Sequence, residues 1–143
     1  MTITSEITID KPVQAVWDFT DNEHNLGKWL RGFQRWELVS GERGKPGQVA
    51  NQHYEERGRQ FILQETILEM NPPHHSKLAL YHKTMESVID MRFDDVDGKT
   101  KASLVCDIQL KGIWKILGPL SKKTFQKRQD EDFARLKSAV ESE

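Results

Sequence analysis

Five polar side chains set within strand-like segments are the residues best suited to chemistry in this chain: His53, Tyr54, Glu65, Tyr81 and His82. A ligand held between apolar walls is oriented by a few converging donors and acceptors. Histidine and glutamate can also move protons, and a tyrosine hydroxyl can hold a carbonyl. Strand alternation limits which of them meet, because neighbouring side chains project to opposite faces. At least one of His53 and Tyr54, and one of Tyr81 and His82, therefore faces away from any shared site. If His82 shares the face of Leu78 and Leu80, it is the inward member of its pair. His82 and Glu65 are the candidate proton carriers, with Tyr81 or Tyr54 as candidate hydrogen-bond donors, the choice resting on register.

Other chemistries lack their residue sets. Gly98-Lys99-Thr100 has the end of a phosphate-binding loop, but Phe93 stands where its first glycine is needed, and a hairpin surrounds it instead of a strand-to-helix turn. Asp94-Asp95-Val96-Asp97-Gly98 is as acidic as a calcium loop, yet its spacing fails and Val105 occupies the twelfth position in place of glutamate. His74 and His75 are adjacent at a proline-rich turn and read as surface residues, while His24, His53 and His82 are scattered without a metal-ligand spacing. Cys106 lies on the apolar side of a strand, the setting of a small core residue more than of a nucleophile. The reading is metal-free, with no cofactor and no nucleophile motif.

The elements that must position the five candidates follow from hydrophobic period. Ile3, Ser5, Ile7 and Ile9 alternate with Thr4, Glu6 and Thr8, a half-buried strand. Asp10 is placed to cap a short helix with Pro12 in its first turn, carrying Val13, Val16, Trp17 and Phe19; a second short helical piece spans residues 22–30. Strands are predicted over 33–40, 48–56, 60–70, 77–83, 85–94 and 100–110, separated by turns at 41–47, Arg57-Gly58, Asn71-Pro72-Pro73 and 94–99. Met85, Ile89, Met91 and Phe93 share one face, as do Ala102, Leu104, Cys106, Ile108 and Leu110, so the last hairpin has one dry side. The strand at 60–70 is mixed: Phe61, Leu63 and Ile67 oppose Ile62, Leu68 and Met70, and its inward face stays open.

A last helix begins at Gly118-Pro119, with Leu120, Phe125, Phe133, Leu136 and Val140 as its apolar stripe and Lys122, Lys123, Lys127, Arg128, Asp130, Glu131 and Arg135 on the wet face. It must lie over the dry side of the strands. Trp114, between last strand and last helix, either covers the helix entrance or lines a pocket opening. The candidate ligand-lining residues are Phe61, Leu63, Leu80, His82, Ile89, Met91, Leu104, Cys106, Ile108 and Leu120. The 143 residues fit one domain, 1–143. With 21 Lys and Arg against 22 Asp and Glu, the overall balance carries no nucleic-acid footprint. One cysteine, no signal-peptide layout and no apolar run long enough to span a bilayer make the cytoplasm the expected compartment.

The order strand, two short helices, six strands, long helix resembles the START-like or Bet v 1-like superfamily, also described as SRPBCC or polyketide cyclase/dehydrase-like. The resemblance is carried by Ile7-Thr8-Ile9-Asp10-Lys11-Pro12-Val13-Gln14-Ala15-Val16-Trp17, by Trp29, by Ile67-Leu68-Glu69-Met70-Asn71-Pro72-Pro73 and by Phe133-Ala134-Arg135-Leu136-Lys137. It implies an α+β helix-grip fold: a curved seven-stranded antiparallel sheet wrapped around the C-terminal helix, enclosing a cavity for a hydrophobic or amphipathic small molecule. Three functions follow from it: carrier or sensor; metal-independent cyclase, dehydratase or hydrolase; or a co-chaperone-like module offering the outer sheet face or charged helix to a protein partner. Ligand identity and oligomeric state stay open.

Overall fold

A computed structural model describes residues 1–116 and 118–143, apart from the side chain of Pro119. Strand β1 (Thr2–Ile9) leads into helix α1 (Val13–Asp21) and a 3-10 turn (Glu23–Lys28). Strands β2 (Phe33–Ser40), β3 (Val49–Glu56), β4 (Arg59–Asn71), β5 (His75–His82), β6 (Met85–Val96) and β7 (Lys99–Leu110) follow. A second 3-10 turn (Gly112–Lys115) then precedes helix α2 (Gly118–Glu141). The strands form one antiparallel sheet in the order β1-β7-β6-β5-β4-β3-β2. Consecutive strands are neighbours except β1 and β2, which take opposite edges, so α1 and the first 3-10 turn must cross from one edge to the other. The seven-stranded helix-grip architecture is the one the element order implied.

Two hairpins turn on residues with positive φ, Arg57-Gly58 and Asp97-Gly98. Paired left-handed residues match the right-handed twist of the flanking strands. Strand β4 resolves the face that alternation left open. Its pairing with β5 shifts register between Ile67 and Glu69, and an extra residue there reverses the side-chain alternation beyond it. Phe61, Leu63, Glu65 and Ile67 therefore face inward on one side of the shift and Met70 on the other, while Ile62 and Leu68 are exposed. Both halves of the mixed pattern are real, and a bulge joins them.

Helix α2 follows β1. Gln126 Nε2 donates to Thr4 O (2.8 Å), Lys137 Nζ to Thr8 O (2.6 Å), and Ser5 Oγ to Asp130 Oδ1 (2.5 Å). Its C-terminal half supplies Phe133, Leu136 and Val140 to a filled core with Ile9, Val16, Trp17, Phe93 and Ala102. Its first turn is different. Leu120, assigned to the buried stripe and to the ligand wall, is 78% exposed, because it lies about a turn and a half ahead of Gln126, which makes the first of these bonds along the helix. Asp10 does not cap α1: Pro12 occupies the cap position with no side-chain bond, and the Asp10 amide is bound instead by Glu141 Oε2 (2.9 Å). Nor is His75 a surface residue. It opens β5, is buried, and its Nε2 lies 2.9 Å from Asp90 Oδ1 on the outer side of the sheet.

Candidate functional site

The filled core occupies only one end of the space between sheet and helix. Beside it lies a cavity of about 930 Å3, near the upper end of the usual range for small-molecule sites. Its apolar wall comes from the inward pleats of β4 to β7: Leu63, Leu78, Leu80, Ile89, Met91, Leu104, Cys106 and Ile108, with Phe125 opposite on α2. Of the residues expected to line a ligand site, Leu63, Leu80, Ile89, Met91, Leu104, Cys106 and Ile108 are on this wall, and Phe61 and His82 line the cavity beside it. Leu120 does not.

The opposite part of the wall is polar and carries a connected chain of hydrogen bonds. On β3 the pleat turns Ala50, Gln52 and Tyr54 inward and sends His53 outward to Glu37 (3.0 Å). Tyr54 Oη donates to Gln52 Oε1 (2.7 Å), and Gln52 Nε2 donates to Glu65 Oε2 (2.5 Å). Trp36 Nε1 of β2 donates to Glu65 Oε1 (3.3 Å). The three strands β2, β3 and β4 are hydrogen-bonded neighbours, which brings residues distant in sequence onto one patch. Tyr54 is wedged between Phe61, stacked at 5.2 Å, and Phe33, edge-on at 5.8 Å.

Burial pushes the Glu65 carboxyl above its ordinary range, partly offset by the bonds from Gln52 and Trp36. Both donors are neutral, and among the described residues Glu65 makes no ion pair. Burial likewise pushes the Tyr54 hydroxyl upward, so it is a hydrogen-bond donor and not a phenolate. Burial thus favours the neutral form of a carboxyl that lines the cavity, and a carboxyl can donate to a ligand carbonyl when protonated or accept from a ligand hydroxyl.

His82 faces the cavity and Tyr81 does not. Tyr81 is half exposed on the outer face, beneath the Lys111 ammonium at 4.6 Å, which removes it as a donor to this site. The Thr84 amide donates to His82 Nδ1 (3.2 Å), leaving Nε2 to carry the proton of the neutral ring. Glu65 pairs with Leu80 across β4 and β5, so His82 is its diagonal neighbour, a separation of about 7–8 Å. The two candidate proton carriers lie on one wall as diagonal neighbours.

Three further residues line the cavity from α2, and residue chemistry alone does not point to them: Arg128, Gln129 and Asp132. Arg128 belongs to the wet face by polarity and to the cavity by position. Its Nη1 donates to Glu56 Oε2 (3.0 Å), and its Nη2 donates to Arg31 O (3.2 Å). Burial raises Asp132, with Arg135 and Arg128 opposing the shift. The β2–β3 loop reaches the mouth, where the Arg43 guanidinium lies over the Trp36 ring at 4.9 Å and pairs with Glu23 at 3.3 Å. Trp114 lines no part of the cavity and is 46% exposed. Among the described residues, no three His, Cys, Asp or Glu are grouped to hold a metal ion.

A family model described as polyketide cyclase / dehydrase and lipid transport matches residues 1–141. No curated protein matches the chain. Among solved structures, an aromatase/cyclase, Zhui from Streptomyces sp. R1128, superposes with TM-score 0.80 at 12% identity over 99% of this chain and 93% of that one. Ara h 8.0201 gives 0.78 at 19% identity, covering 100% and 99%. The protein TTHA0849 from Thermus thermophilus gives 0.74 at 17%, covering 99% and 95%. At these identities the likeness is one of fold.

Proposed function

The chain belongs to the polyketide cyclase/dehydrase and lipid-transport family of the START-like, Bet v 1-like superfamily, and from that premise we propose that it binds one amphipathic small molecule as a cytoplasmic carrier or sensor. The observation that carries this reading is the cavity itself: about 930 Å3, with an apolar wall along β5 to β7 faced by polar groups, among them the linked Glu65, Gln52 and Tyr54 side chains. Such a division suits a ligand with a hydrocarbon or ring body and one oxygen-bearing end. The apolar body lies along Leu78, Ile89 and Leu104, and the oxygen reaches the Glu65 carboxyl.

An apolar fluorescent probe should bind saturably at one equivalent per chain. Ile89→Trp, which fills the wall from its middle, should abolish that binding while costing about 1–3 kcal/mol of stability through overpacking. Native mass spectrometry of gently purified protein would then identify a retained molecule. Non-saturable adsorption of the probe, unchanged by Ile89→Trp in a variant that still folds, would sink the proposal.

One observation favours an enzymatic reading beside this one. Tyr54, Gln52 and Glu65 are linked by hydrogen bonds and His82 lines the same cavity, an arrangement that supports Glu65 and His82 as two candidate proton carriers for a bound carbonyl. A metal-independent cyclase or dehydratase needs such groups, and loss of a true proton carrier reduces turnover by about a hundredfold to ten-thousandfold. Turnover of polyketide-like or aromatic substrates that falls by this factor in Glu65→Gln or His82→Gln, with probe affinity retained, would move the protein from carrier to enzyme.

A further inference from the structure

The segment joining sheet to helix has a composition unlike the rest of the chain. From Ile108 to Gln129 there is no acidic residue, whereas Lys111, Lys115, Lys122, Lys123, Lys127 and Arg128 give it six positive charges in a protein of net charge −1. The same stretch holds the three most exposed large apolar side chains among the described residues: Ile116 (81%), Leu120 (78%) and Ile113 (74%). Their spacing is three and then four residues, and Trp114 lies half exposed among them. Ordinary surface leucines and isoleucines occur singly. Four large exposed apolar residues within eight positions, with lysines on both sides of them in the sequence, suit a partner that is apolar within and negative at its rim.

An anionic lipid bilayer has that profile. Tryptophan and aliphatic side chains bury in the boundary between headgroups and acyl chains, and lysines pair with the headgroups. Lys115, Lys122 and Lys123 are free to do so, since among the described residues they make no ion pair, in contrast to Lys111 with Glu86 (2.7 Å) and Lys127 with Glu131 (3.9 Å). Among the described residues no helix is long and apolar enough to cross a membrane, and the contact in question is a peripheral one. We propose that the turn Gly112–Lys115 and the first turn of α2 dock this protein on an anionic membrane surface through Ile113, Trp114, Ile116 and Leu120.

The docking element adjoins the cavity. The Lys111 amide donates to Thr84 O (2.9 Å), and Thr84, Met85 and Phe125 are cavity-lining residues. A molecule leaving the bilayer at this surface would meet that end of the cavity. The surface stands apart from the cavity's own function, because a protein with an empty or catalytic cavity would present the same apolar and basic groups.

Vesicle co-sedimentation tests the proposal on the full chain. Binding to phosphatidylcholine vesicles containing phosphatidylserine is expected, with little binding to phosphatidylcholine alone and loss at raised salt. Lys115→Glu/Lys122→Glu/Lys123→Glu should weaken it by on the order of a hundredfold or more. Ile113→Ser/Ile116→Ser/Leu120→Ser should abolish it while leaving the unfolding transition and cavity-probe affinity unchanged, because these side chains are already in water. Trp114 fluorescence should shift to the blue on anionic vesicles, and Trp114→Phe should remove that shift. No binding to anionic vesicles, or binding indifferent to both sets of substitutions, would overturn the assignment. A concentration-dependent dimer dissolved by the serine substitutions, with no vesicle binding, would overturn it in favour of self-association.

Discussion

Replacing Glu65 by glutamine should change stability by an amount that depends on pH, and the sign follows from the site's geometry. Glu65 accepts two hydrogen bonds, from Trp36 Nε1 and Gln52 Nε2. A glutamine has one carbonyl oxygen and one amide nitrogen there, so it keeps one donor and sets its own NH2 against the other. An unmet buried donor costs about 1–3 kcal/mol, and that is the expected destabilisation in acid, where glutamate and glutamine are both neutral. As pH rises past the ordinary value of 4.5, Glu65 ionises in the unfolded chain before it does so in the folded one. The native state then binds more protons than the unfolded state, and wild-type stability falls until the folded carboxyl has also ionised. Glutamine has no such loss. The gap between the two proteins should therefore narrow from acid to mildly alkaline solution, and can reverse. Urea unfolding of both across that range measures it, with His82→Gln as a control for histidine titration. A gap constant with pH would refute the assignment of Glu65 as a buried carboxyl held by neutral donors alone. A gap that widens with pH would mean that a cation pairs with it.

Two further outcomes test the walls of the cavity. Leu136→Ala, in the filled core where the side chain is wholly buried, should cost about 2–5 kcal/mol, whereas Lys123→Ala should change stability by less than about 0.5 kcal/mol; equal small effects in denaturant titrations would contradict the placement of α2. Burial pushes the Cys106 thiol up to about 11, leaving on the order of one thiol in ten thousand ionised at neutral pH, so alkylation should be slow in folded protein, fast in urea and slower still with the cavity probe bound. Rapid modification of the native protein would place Cys106 outside the apolar wall.

The parts of this fold legible in the sequence are those where one rule acts alone. Strict alternation in β6 and β7 puts Met85, Ile89, Met91, Leu104, Cys106 and Ile108 on a common face, and the Arg57-Gly58 and Asp97-Gly98 turns fix both hairpins. Where two rules overlap, the pattern is ambiguous. Strand β4 carries inward residues of both parities because its register slips after Ile67, and no single alternation describes it. The apolar stripe of α2 continues the helical period to Leu120, but period says nothing about how far the sheet beneath extends. Gln52 escapes a search by acid-base chemistry although it shares a parity with Tyr54; choosing Tyr54 as inward also chooses Gln52.

Arg128 and Asp132 are the more instructive misses. They sit three and seven residues after Phe125, and eight and four before Leu136, which are spacings of a shared helix face. Polarity assigns them to water, yet geometry assigns them to the cavity. Charged residues at apolar-face positions are costly against a filled core and tolerable beside a void, where ion pairs with Glu56 and Arg135 and access to solvent limit the cost of burial. The change along α2, from Arg128, Gln129 and Asp132 to Phe133, Leu136 and Val140, marks the boundary between cavity and core. In this chain the helix is wall along one stretch and core along the next, and its own side chains record where one becomes the other. The exposed first turn continues that gradient outward, from buried core through polar cavity wall to the apolar and basic surface assigned here to a membrane.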